Sequence, residues 1–461
     1  MSPDEAKSRP KFKQMEAAAI DGVKVYGSRL AWLQKVIVIL LVLVILVLAA
    51  RVSGGAQAPG EGQGSPIYSE ELQSYDNFGA ALAVQADTLL VGAPGVNQEH
   101  VQNAGAAFVF ESRDAGWEEV QRLSPEPQQT DSGFGKSVAL DGDTLAVGAI
   151  YEYNPQAGNG SGAVYVYTRD SDGWQMQARL HAPDGAPFDL FGWDLALQGD
   201  LLAVSARAAE SPGGARNAGA VYLFQRSGGA WDLLARLSPQ NLSPRDYFGD
   251  SLALAGEYLF AAAPGSDQTE AANTGVVYVF RQQGQNWFEE VKLAHDSLQP
   301  NAHFGAALDV EGELLVVLAS QQYHGEQAPP AAHMWGTPEG FGVAYIFKRE
   351  RGEWRWQASL APQPVGEEGS VLLGIALGGG ENGAMRAVLS GYGRGAIYRY
   401  EQQGVDWIES QPLTPNTMGL LSGNPVTLAG DKVFIGIPYY DHTPEQLEQG
   451  DAAGAVVEID W

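Results

Sequence analysis

The chain has 461 residues, of which 57 are glycine and none is cysteine, with 10% aromatic and 18% charged residues. This composition excludes disulfides, thiolate catalysis and Cys-ligated zinc, and it argues for a folded, turn-rich chain and against a disordered one. Residues 1–51 hold eight Lys/Arg against four Asp/Glu, leaving 20 basic and 51 acidic residues beyond them, a field that repels phosphate backbones and argues against nucleic acid as a partner.

Residues 1–29 read as a basic tail with Lys7, Arg9, Lys11, Lys13, Lys24 and Arg29. Val36–Ala50 is an unbroken apolar run, extended upstream by Leu30-Ala-Trp-Leu33. Leu30–Ala50 as a helix spans about 31 Å, enough to cross a bilayer if Lys35 snorkels. Trp32 sits where an interfacial aromatic belongs. Residues 30–51 are therefore expected to be a signal-anchor helix, with the N-terminus cytoplasmic and the remainder at the cell surface or in a periplasm. A cleaved signal peptide is the rival, with Ala56-Gln57-Ala58 as its small-x-small site. Residues 52–64 read as a flexible Gly/Ala/Gln tether, and the globular part is expected to span 65–461.

Beyond the tether one pattern is written seven times. It runs Gly105-Ala-Ala-Phe-Val-Phe110, Gly162-Ala-Val-Tyr-Val-Tyr167, Gly219-Ala-Val-Tyr-Leu-Phe224, Gly275-Val-Val-Tyr-Val-Phe280, Gly342-Val-Ala-Tyr-Ile-Phe347, Gly395-Ala-Ile-Tyr-Arg-Tyr400 and Gly454-Ala-Val-Val-Glu-Ile459. The leading glycines are 57, 57, 56, 67, 53 and 59 residues apart, a period that means a repeat architecture. Phe-Gly opens the first five units, at Phe78, Phe134, Phe191, Phe248 and Phe304. Thirteen residues after each of those glycines lies a small-residue patch, such as Val91-Gly-Ala-Pro94 or Val147-Gly-Ala149. Two apolar strands fit between the markers, joined by turns such as Asp141-Gly142-Asp143, for which a type I′ hairpin is expected. A Trp follows each leading Gly by 12 residues in six units, and a Leu follows that Trp by six. Each unit thus reads as a four-stranded antiparallel meander, and seven such sheets predict an all-β, seven-bladed β-propeller. The small patches are expected where inner strands crowd toward the axis.

Phe-Gly followed by Gly-Ala-Pro resembles the FG-GAP repeat of integrin α-subunit propellers and of bacterial surface proteins. Units six and seven depart from it, with Val371 and Ser422-Gly423 in place of Phe-Gly. The resemblance implies a propeller that binds a partner. It also implies calcium loops of the form Asp-x-Asp/Asn-x-Asp-Gly between the first two strands of a blade. Here 13 residues must hold both strands and the turn, so no such loop fits and no cofactor or metal is expected.

The seventh unit stops at Trp461 without a fourth strand, and an open ring exposes strand edges. Residues 65–72 are expected to supply the missing outer strand. The first-to-second and third-to-fourth connections then share one face, and the long second-to-third loops share the other. A fourth strand starts on the short-turn face, so the long-loop face is expected to point away from the membrane and to bind.

Tyr and Trp on exposed loops make good interface anchors. The fifth unit's long insertion carries Tyr323, His324, His333 and Trp335, and other long loops carry Tyr151, Tyr153, Tyr439 and Tyr440. These eight are the candidate binding residues. The His324–His333 spacing matches no metal site. No catalytic motif is present. The expected function is a membrane-anchored binding or adhesion module for a protein or glycan. An extracytoplasmic propeller glycosidase or lyase with carboxylates in the central funnel, and a structural subunit of an envelope complex, are the alternatives.

Overall fold

A computed structural model of the chain describes residues 63–98, 100–267, 271–323, 341–362, 371–380, 383–392, 397–413, 425–438 and 453–461. The chain divides into Met1–Gly60 and Glu61–Trp461, and the first unit, with the expected tail, membrane span and most of the tether, lies outside the described residues. No helix among the described residues is long and apolar enough to cross a membrane.

The smallest piece of the fold is a two-residue turn between two apolar strands. Turns at Ala86, Gly142, Gly199, Gly256, Gly312 and Gly430 each place a positive φ, between 49° and 59°, at the first central residue. The second central residue has no positive φ, so the geometry is that of type II′ and not the expected I′. Glycine suits that first position; Ala86 occupies it at a steric cost.

Four such antiparallel strands make a blade. The chain begins with β1 (Gln63–Ile67). Blade one is β2 (Ala81–Gln85), β3 (Thr88–Ala93), β4 (Ala106–Arg113) and β5 (Gly116–Leu123). Blade two is β6 (Phe134–Asp141), β7 (Thr144–Ala149), β8 (Ala163–Asp170) and β9 (Gly173–Leu180). Blade three is β10 (Phe191–Gln198), β11 (Leu201–Ala206), β12 (Ala220–Ser227) and β13 (Ala230–Leu237). Blade four is β14 (Leu252–Ala255), β15 (Tyr258–Ala263), β16 (Val276–Gln283) and β17 (Asn286–Leu293). Blade five is β18 (Phe304–Glu311), β19 (Leu314–Tyr323), β20 (Phe341–Glu350) and β21 (Glu353–Leu360). Blade six is β22 (Val371–Gly379), β23 (Met385–Tyr392), β24 (Ile397–Gln403) and β25 (Asp406–Glu409). Blade seven is β26 (Val426–Ala429), β27 (Lys432–Ile437) and β28 (Ala455–Asp460), completed by β1. The result is an all-β, seven-bladed propeller.

The closing strand pairs antiparallel to β28, with Ile67 opposite Val456 and Gln63 opposite Ile459. It starts and ends earlier than the expected 65–72, and the register slips between Gln63 and Pro66, where proline has no amide to give. Because Gln63 lies beside the end of β28, the chain enters the propeller on the short-turn face.

First strands neighbour one another all round the ring. Seven apolar cores lie between consecutive blades rather than within them. Between blades two and three, for example, Val164 and Val166 meet Leu202, Val204 and Tyr222. The third strands are buried on both faces, which is why their sequence is continuously apolar.

The Phe-Gly motif joins the blades. Phe191 is fully buried, packs edge-on against Tyr222 of its own blade at 5.5 Å, and bridges in parallel to Gly162 of the blade before. A Cβ on Gly162 would lie 2.1 Å from the Phe191 carbonyl oxygen. The same bridge recurs at Gly105–Phe134, Gly219–Phe248, Gly275–Phe304 and Gly454–Phe78. The small patches face this latch. They lie on second strands, where a Cβ on Gly148 would meet the Gly192 carbonyl oxygen of the next blade at 2.4 Å.

Two substitutions test this backbone logic. Ala86→Gly relieves the left-handed turn and is expected to raise stability by about 0.5–1 kcal/mol. Gly162→Ala forces a side chain onto a carbonyl at φ +84° and is expected to cost about 2–4 kcal/mol. Urea unfolding of both variants against the parent chain measures each.

Candidate functional site

The second-to-third loops and the connections between blades all emerge on one face. On it, Tyr151-Glu152-Tyr153 leaves β7 with alternating burial, the glutamate inward and both tyrosines outward. Glu152 accepts a hydrogen bond from the Tyr165 hydroxyl at 2.6 Å and from Arg179 Nε and Nη2 at 2.9 and 2.5 Å. Burial first, and the Glu152 charge second, push the Tyr165 phenol far above its usual range, so it stays a neutral donor. The loop is also fastened to the preceding connection. The Tyr153 amide donates to Gln129 Oε1 at 2.9 Å, Gln129 Nε2 donates to the Tyr153 carbonyl at 3.2 Å, and the Tyr151 amide donates to the Ser132 carbonyl at 3.0 Å. Tyr151 and Tyr153 are therefore held outward, 52% and 47% exposed.

Two more exposed aromatics share this face. Phe188, 63% exposed, sits on the connection into blade three, where its amide donates to the Asn159 carbonyl at 2.9 Å. Tyr75, 61% exposed, sits on the connection into blade one. Sequence reasoning missed both because it searched only the second-to-third loops.

The ring of first strands ends on the same face, and the residue after each Phe-Gly stands at its mouth. Those residues are Ala80, Lys136, Trp193, Asp250 and Ala306. From blade two to blade four they assemble a row with Arg207 and Tyr247. The Lys136 ammonium lies 5.5 Å from the Trp193 ring centre, and the Arg207 guanidinium lies 4.3 Å from Trp193 and 4.5 Å from Tyr247. Asp250 approaches Arg207 Nε at 2.8 Å. Burial first, then the Arg207 charge, lower the Lys136 ammonium from its usual range, against an upward pull from Asp194 and Asp250. Burial raises Asp250 against the pull of Arg207 and Lys136. This cluster too escaped sequence reasoning, although the varied residue behind an otherwise constant Phe-Gly was its signal.

Two carboxylates near the axis are strongly perturbed. Burial raises Asp194 to about 7 and Asp309 to about 6, with backbone hydrogen bonds opposing the shift. Both act as cross-blade staples. Asp194 accepts the Leu195 amide at 2.9 Å and the Leu252 amide of the next blade at 2.7 Å. Asp309 accepts the Val310 amide at 2.8 Å and the Leu377 amide of the next blade at 2.8 Å.

Of the eight sequence-predicted residues, Tyr151 and Tyr153 stand together on the long-loop face. Tyr323 is the last residue of β19 and pairs with Phe341, so it extends a strand and does not begin the loop as expected; the register slip after Ala319 lengthens the hairpin. The Tyr323 side chain, His324, His333, Trp335, Tyr439 and Tyr440 lie outside the described residues. Of the other fifth-unit histidines, His295 packs with tilted rings against Tyr345 and Trp356, each at 4.9 Å, and shares a 2.8 Å hydrogen bond with the Ser297 hydroxyl. No group of three or more acidic or histidine side chains suited to a metal occurs among the described residues.

Comparison with known proteins agrees with this architecture. The FG-GAP repeat family model matches residues 64–110, 117–167, 174–224 and 231–280. Over 198 residues the chain is 32% identical to Integrin alpha-D of Homo sapiens, and over 203 residues it is 30% identical to Integrin alpha-M of Mus musculus. The matches cover 39% and 41% of this chain but only 16% and 17% of the two integrins, so the chain spans about a sixth of those relatives. Among solved structures, the RRP9 WD40 repeats superpose with a TM-score of 0.52 at 11% identity, covering 88% of this chain and 99% of that one. That likeness is one of fold alone.

The raised carboxylates carry a pH dependence. A raised folded-state pKa means stability present in full below the ordinary carboxylate range and lost as pH rises through about 6 for Asp309 and about 7 for Asp194. The denaturation midpoint is expected to fall between pH 5 and pH 8. Asp194→Asn should flatten the upper part of that decline, whereas a parallel curve for the variant would show that Asp194 titrates normally.

Proposed function

We propose that this chain, an FG-GAP repeat protein with a propeller similar to that of integrin α subunits, is a binding module that docks a protein partner on its long-loop face. The observation that carries this reading is the outward-facing set Tyr151, Tyr153 and Phe188, set by backbone bonds and by a buried Glu152–Arg179–Tyr165 network. Rigid exposed aromatics supply contact area at low entropic cost. An acidic surface, from a formal charge of −27 for the whole chain, favours partners with basic or neutral faces around that patch.

In this reading residues 30–51 anchor the chain in a membrane with the propeller outside. The module performs no reaction, and the engagement of both oxygens of Asp194 and of Asp309 by backbone amides supports that view. It also binds no calcium of the integrin type. In six blades the first two strands are joined by two-residue turns, which hold too few oxygens to wrap that ion.

Copurification tests the docking face. The full chain, solubilised from membranes, is expected to retain a protein partner that a Tyr151→Ala/Tyr153→Ala/Phe188→Ala variant releases. Equal capture by both forms, or capture abolished by glycosidase treatment of the partner, rejects a protein contact at this patch. For calcium, the thermal midpoint in about 1 mM calcium and in chelator should agree to within about 1 °C; a larger rise in calcium refutes the metal-free reading.

A further inference from the structure

The outer strand of blade seven is held less firmly than the outer strands of its neighbours. β9 is matched to β8 from Gly173 to Leu180, interrupted by a single bulge. β1 meets β28 only at Gln63, Pro66 and Ile67, the register slips between the first two, and Pro66 has no amide to donate. The outer strands of blades one to six each carry a tryptophan set against the core shared with the blade before. β1 carries none, and among its described side chains only Ile67 joins a core.

The chain on either side of this seam is fastened without β1. Just after the exposed Tyr68, Ser69 is buried, Leu72 packs against the core between blades seven and one, and Glu71 pairs with Arg122 at 2.8 Å. The Phe78 amide donates to the Ala453 carbonyl at 3.0 Å, beside the Gly454–Phe78 bridge. Trp117 Nε1 donates to Glu458 Oε2 at 2.6 Å, and its ring meets Phe434 edge-on at 5.5 Å. These contacts tie blade one to β27 and β28 directly.

We propose that β1 is a detachable strap: residues 63–67 swing off β28 about Tyr68 while the ring stays shut. Release gives up a short, slipped ladder and the burial of one isoleucine, and it returns backbone freedom to five residues. The open form keeps seven blades, the last with three strands. Its edge is β28, six residues without a proline, which is a good template for pairing with an extended segment. The closed form shows β1 instead, whose proline and slipped register make it a poor one. The strap therefore guards the edge of blade seven, and it does so whether or not the long-loop face docks a protein.

Thiol labelling of the full, solubilised chain tests the strap. The chain has no cysteine, so each single variant carries one thiol. Ile67 and Leu180 stand 11 residues before Phe78 and Phe191, and each is 8% exposed. Without denaturant, Ile67→Cys is expected to react with an aromatic disulfide reagent about a hundredfold faster than Leu180→Cys, although their static burial is equal. Low urea should leave the Ile67→Cys rate nearly constant and speed that of Leu180→Cys, because a local opening exposes little surface. Equal rates, or the same urea response in both, overturn the strap. Val91→Cys, fully buried on β3 in the core between blades seven and one, reports on the ring itself. It should label as slowly as Leu180→Cys; labelling as fast as Ile67→Cys means that the whole seam parts, and the proposal fails. Amide exchange of the unsubstituted chain removes any effect of the substitutions. Residues 455–460 should lose protection sooner than residues 163–170, and equal protection of the two strands overturns the strap.

Discussion

Between consecutive blades, the glycine that opens a third strand lies flat against the carbonyl of the next blade's phenylalanine. At about 2 Å from where a Cβ would stand, the approach admits no side chain at all. The backbones therefore bridge directly, while the phenylalanine ring turns back into its own blade and packs edge-on under that blade's central aromatic. One dipeptide thus sets the spacing between sheets and the filling of the core behind it. Where Val371 replaces the phenylalanine, the bridge moves one residue back, to Phe341, and the two sheets still join.

A scaffold fixed at this level of detail leaves its loops free to specialise. The latch sits on the long-loop face, so each connection leaves a rigid point and needs few further restraints. Those it has are polar and local: the reciprocal Gln129–Tyr153 bonds, the Ser132–Tyr151 bond, and the buried Glu152 beneath both tyrosines. The mouth of the ring uses the same economy. A single varied position behind each latch sets Lys136 against Trp193 and Asp250 against the Arg207 that also covers Trp193.

The fold was legible because its constraints repeat. Constant spacings from Phe-Gly to the small patch, and from the leading glycine to Trp and Leu, reflect strand lengths that cannot change without breaking a neighbour. The missing fourth strand of the last unit was legible for the same reason. Turn type was not, because Asp141-Gly142-Asp143 places glycine before the acidic residue within the turn, where it serves the first central position. The candidate site was legible only in part. Tyr151 and Tyr153 declared themselves as aromatics on a long loop, but Phe188 and Tyr75 sit on connections whose length gave no signal. The mouth cluster is built from one residue per repeat plus two loop residues, so no window of sequence contains it.

Ring closure by β1 has a consequence for the order in which the chain can fold. Ile67 finds its partner only at Val456, 389 residues later. At the usual pace of synthesis, the first strand waits on the order of 20–80 s before its neighbour exists. Blades one to five can latch in sequence as they emerge, each onto the one before. The first core, which needs Phe434 and Val456 to cover Phe78 and Phe108, stays open until the end. The nascent protein is therefore an arc with one apolar flank uncovered, and it needs a chaperone or a crowded neighbour most in the last moments before the circle shuts.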